Sequence, residues 1–188
     1  ANGSVALTGG NVDGAQNLTI TAGSGAVSFD GVGQNTAIGA LDVDTSGALT
    51  FNDALAAGSI ALDGAANVDL ATGAVTLNTS AANGVVTFAT AGAIDGGQNL
   101  TITAGSGAVN LSAIGAGTAI GALDIDTTGT TTVNGNIVAG SIALDGATDV
   151  DLATGAITLN TSAANGSVAL TGGNVDGAQN LTITAGSG

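Results

Sequence analysis

The chain has 188 residues, 14 of them Asp, with no Lys, Arg, His, Cys or Pro and a formal net charge of −14. Without basic side chains it cannot neutralise phosphates, which excludes nucleic acid as a partner. There is likewise no His or Lys to act as a base, no Cys nucleophile and no Arg to clamp an oxyanion or phosphate, so no catalysis is expected. At 44% hydrophobic and 7% charged residues, the chain is apolar enough to fold. No run reaches the roughly 18 apolar residues of a membrane span, and no signal-peptide pattern is visible.

In chain order, short runs alternate apolar and polar residues, the signature of half-buried strands. The first half contains Leu18-Thr19-Ile20, Val27-Ser28-Phe29, Leu41-Asp42-Val43, Leu49-Thr50-Phe51, Ile60-Ala61-Leu62, Val68-Asp69-Leu70, Val75-Thr76-Leu77 and Val86-Thr87-Phe88. Gly, Asn, Asp and Ser clusters separate them and supply turns. The phrase NLTITAGSG starts at Asn17, Asn99 and Asn180, offsets of 82 and 81. Residues 164–188 repeat residues 1–25 letter for letter. The organisation is therefore one full period, 1–163, made of two similar halves at about 1–82 and 83–163, with 164–188 opening the next identical period. Because the pattern starts and stops within a unit, the chain reads as a window on a longer array.

Taken as pairs, the strands give four coils per half and about 20 residues per coil. The expected fold is all-β, a right-handed parallel β-helix (β-solenoid) of about nine coils, its hand taken from the rule for parallel crossovers. Eight coils per period, stacked at the strand spacing, would rise roughly 38 Å. In this register Leu18, Leu41, Ile60 and Val75 form one inward column and Ile20, Val43, Leu62 and Leu77 another. Phe29, Phe51 and Phe88 take equivalent core positions, with Leu111, Val133 and Leu170 as their second-half counterparts.

Outward positions are where chemistry could reside. Stacked Asp44 and Asp63, with Asp42 beside them, make a carboxylate cluster that the second half repeats as Asp124, Asp126 and Asp145. Like charges at strand spacing repel unless water or a cation intervenes. The cluster has two readings: a solubilising coat, or a shared Ca2+ site completed by carbonyls and water. No other cofactor is expected. Asp13, Asp95 and Asp176 recur beside Gly and read as turn residues. Asn17, Asn99 and Asn180, and likewise Asn78 and Asn160, suggest amide ladders along the stack. Asn17-Leu-Thr19 and Asn78-Thr-Ser80 also match the glycosylation acceptor pattern. Asp44-Thr-Ser-Gly is one residue too long for an aspartic-protease triplet, and the broken Thr rows do not make an ice-binding array.

QNLTITAGSGAVSFDG, GALDVDTSGALTFN and ATGAVTLNTSAANG resemble the repeat tracts of filamentous-haemagglutinin-type bacterial surface and secreted proteins, and the likeness extends along the whole chain. The resemblance implies an elongated extracellular or cell-surface shaft used in adhesion, biofilm or surface structure. It implies self-association as the main partnership, with cell-surface or glycan contacts in addition. This chain departs from such tracts in having no Lys, Arg or Glu and in its near-exact 163-residue period. Both departures favour a homopolymer-like filament. The rival expectations are a Ca2+-dependent adhesin or carbohydrate-binding repeat, and a functional amyloid subunit.

Overall fold

Most inward-facing aliphatic residues are carried by strands of two to nine residues, while Val12, Val32 and Ile114 are held by isolated bridges; among the described residues every strand pair is parallel. The computed structural model describes residues 2–88 and 90–187. Among these there is no helix. The strands wind into a β-solenoid of about 8 turns with about 22 residues per turn.

Three faces enclose the core. Face A stacks Val5, Val27, Leu49, Val68, Ile94, Ile114, Ile137, Leu159 and Ile183. Face B stacks Val12, Val32, Leu55, Leu77, Ile102, Ile125, Leu144 and Leu170. Face C stacks Leu18, Leu41, Ile60, Val86, Val109, Thr131, Val150 and Val175. The chain visits A, B and C in order, so each column gains one residue per turn. Nearly all the column residues between the first and last turns are fully buried. In the last turn Val175 and Ile183 are 42% and 48% exposed, since no further turn covers them.

Corners are closed by buried threonines. The Thr45 hydroxyl donates to the Gly25 carbonyl at 2.7 Å and accepts from the Gly47 amide at 3.0 Å. Thr127 repeats the arrangement with Gly107 and Gly129. Thr79 and Thr161 donate to the carbonyls of Gly84 and Gly166, both at 2.6 Å. A side chain thus pairs backbone groups that leave the ladder where the chain bends, groups that would be costly to bury unpaired.

The observed register corrects the expected one. Val75 does not follow Ile60 in a column; Val86 does, while Val75 pairs with Leu100 on face B. Leu77 likewise lies on face B, between Leu55 and Ile102. Phe29 and Phe51 do stack, with ring centroids 5.8 Å apart, and Leu70 continues their column. Phe88 is buried elsewhere: one residue past Thr87, which pairs with Ala61 and Asn110, it falls between Leu62 and Leu111 on face C.

Each half consequently winds through three and two-thirds turns, not four. Starting at Leu18 on face C, three turns lead through Leu41 and Ile60 to Val86; two more faces bring the chain to Leu100 on face B. The same sequence then reappears at Leu181 on face A. The 163-residue period is seven and one-third turns, a rise of about 35 Å at the strand spacing. Successive halves present equivalent residues on different faces.

Candidate functional site

The outward carboxylates lie where strand alternation puts them. Asp44 and Asp63 are paired in register on face C, and Asp42 pairs with Ala61. All three are exposed. Their counterparts Asp126 and Asp145 pair on face B, where Asp124 is opposite Ala143. Asp63 accepts a hydrogen bond from the Thr90 hydroxyl at 2.9 Å, and Asp145 accepts one from Thr171. Among the described residues, no three acidic side chains converge on a point that could hold a metal ion. The ladder explains this: residues i and i+2 of a strand are about 6.6 Å apart, and an Ala occupies the fourth corner of each quartet.

The recurrent Asp of the turns does more than turn the chain. Asp13 accepts from the Asn35 amide N–H at 3.0 Å, the Asn35 side-chain amide at 2.9 Å and the Thr36 N–H at 3.2 Å. Those donors, led by the Asn35 side chain, hold its carboxyl below the ordinary aspartate value. Asp95 clasps Gly117 and Thr118 in the same way, both at 2.9 Å. Each Asp therefore ties its own turn to the next.

The expected Asn ladders do not form, because equivalent residues of successive halves lie three and two-thirds turns apart, on different faces and not on adjacent turns. Asn17 and Asn99 instead accept from the backbone of the following turn, at Ala40 and Ala122, both at 2.8 Å. Asn78 and Asn160 close local turns on Ser80 and Ser162.

A concave feature lies at the corner between faces A and B. It is a groove of about 560 Å³ lined by Gly10, Asn11, Asp30, Gly31, Gln34, Asn52, Asp53 and Thr72. These residues come from four successive turns, so the groove runs parallel to the axis for about 14 Å, three strand spacings. Asp30 accepts from the Gly9 N–H at 2.6 Å and from the Asn52 amide at 3.2 Å. Asp53 accepts from the Ala54 N–H at 2.7 Å. That bond first, and then one from Gln34, lowers its pKa. The Thr72 hydroxyl donates to the Asn52 carbonyl at 2.6 Å.

Sequence reasoning missed this groove, yet its signal is in the chain. At the equivalent second-half positions, 82 residues on, Asn11 becomes Ala93, Asp30 Ser112, Gly31 Ala113, Gln34 Ala116 and Asp53 Gly135. The exchanges are physically coupled. A Cβ on Gly31 would overlap the Asn11 side-chain oxygen and crowd Gln34, whereas Ala113 is free to carry one because both of those side chains are gone.

The chain matches no protein-family model, no curated protein and no solved structure. The β-solenoid stands on its own register, with no family match behind the likeness to filamentous-haemagglutinin-type shafts.

Proposed function

We propose that the chain is a structural segment of an extracellular bacterial filament or giant adhesin shaft, without catalysis, of the filamentous-haemagglutinin kind. One observation carries the reading: three stacked core columns, apolar between the first and last turns except at Thr131, run through about 8 turns, built from a sequence that fits any of the three faces. Such a segment extends by repetition alone, each turn contacting only its neighbours, which is how solenoids gain length. The uncompensated charge of −14 keeps neighbouring shafts apart and soluble.

Electron microscopy of the native material, with and without EDTA, tests the proposal. Thin fibres with an axial period near 35 Å, unchanged by EDTA, are expected. Isolated short particles would overturn the filament reading. Fibres that separate in EDTA would replace backbone-ladder assembly with assembly through cations.

A further inference from the structure

We propose that the corner groove between faces A and B is a binding site for a neutral polyhydroxylated chain, a glycan segment lying parallel to the solenoid axis. The site is independent of the shaft role and stands whether or not the solenoid belongs to a longer fibre.

The argument begins with what the lining offers. Asp30 and Asp53 contribute carboxylate acceptors, Asn11, Gln34 and Asn52 amides that donate and accept, and Thr72 a hydroxyl. Each carboxylate oxygen can accept more than one bond, so acceptor capacity remains beyond the internal contacts. Vicinal hydroxyls, which both donate and accept, match such a mixed set. An anionic ligand is excluded by two carboxylates with no cation anywhere in the chain. A bare divalent cation is disfavoured by the donors already placed: Gly9 and Asn52 direct N–H groups at Asp30, and Ala54 directs one at Asp53. An apolar ligand would leave these polar groups unpaired.

The second line of argument is the contrast between halves. The turn sequences are otherwise closely repeated, and Asn52 and Thr72 persist as Asn134 and Thr154, but Asn11, Asp30, Gln34 and Asp53 are replaced together by Ala, Ser, Ala and Gly, and Gly31 changes in concert. Solubility or folding would not require this, since the second half folds through the same turns without them. The site therefore occurs once per 163-residue period. With no aromatic platform, affinity at one groove would be modest, and recurrence along an array would raise it through avidity.

The test uses the 188-residue chain, fluorescently labelled, on an array of neutral, sialylated and sulfated oligosaccharides, with isothermal titration of any neutral hit. Binding confined to neutral glycans is expected. The variant D30S/Q34A/D53G gives the groove residues already present at the matching second-half positions, so its melting temperature should stay close to that of the parent. Its affinity should fall by about tenfold or more, the loss expected for several hydrogen-bonding groups. The variant D124N/D126N, altered on the open face, should bind as the parent does. No binding to any neutral glycan would overturn the proposal, as would preference for sulfated or sialylated ones or undiminished binding by the triple variant. A Ca2+ titration signal that depends on Asp30 and Asp53 would reassign the groove to a cation.

Discussion

Thr131 is fully buried in the face C column, at the position where the first half has Leu49, and its hydroxyl has no hydrogen-bond partner. A buried unpaired hydroxyl costs free energy that an isosteric methyl does not. Thr131→Val should therefore stabilise the chain by about 1 kcal/mol, measured as a shift in chemical denaturation midpoint without a change in slope. A second residue-scale prediction concerns acid. The Asp13 pKa is lowered in the fold by its Asn35 and Thr36 donors, so its contribution is present above the unfolded-state value near 3.9 and is lost as pH falls through the folded value. Asp13→Asn should melt below the parent at pH 6, and the difference should shrink as the pH is taken down through that window. A constant difference would mean that the ionised carboxylate is not what ties the two turns together.

At the scale of the strand, the alternation that exposes a solenoid also hides its register. Val75-Thr76-Leu77 and Val86-Thr87-Phe88 have the same apolar–polar–apolar form, and either could stack on Ile60-Ala61-Leu62. Strand periodicity distinguishes inside from outside but does not distinguish one face from another. The β-fold, the inward residues and the pairing of Asp44 with Asp63 were legible for that reason; the column assignment at Val75, the place of Phe88 and the number of turns per half were not. They are decided by backbone contacts that have no hydropathy signal. A Cβ on Gly84, for example, would overlap the Gly58 carbonyl oxygen, and Gly166 meets Gly140 identically. Gly84→Ala should cost more than about 2 kcal/mol by forcing those turns apart. Cysteine cross-linking reads the register directly, because the chain has no cysteine of its own. Ala61 and Thr87 are paired neighbours on face C, so A61C/T87C should oxidise to an intramolecular disulfide. A61C/T76C, the pair implied by stacking Val75 on Ile60, should stay reduced.

For the whole molecule, the decisive quantity is the one-third turn left over in each 163-residue period. Helical reconstruction of native fibres should give a 120° rotation for every rise of about 35 Å, and an untwisted repeat would contradict the register. The remainder also bears on mechanics. A rod with a weak side bends towards it, and a period of whole turns would align every irregularity, whether a phenylalanine pair, a buried threonine or a polar corner, along one side. Here each irregularity moves to the next face with each period, and three periods restore the original orientation. Stiffness is thereby averaged over all directions, and a long array of this sequence would have no preferred plane of curvature.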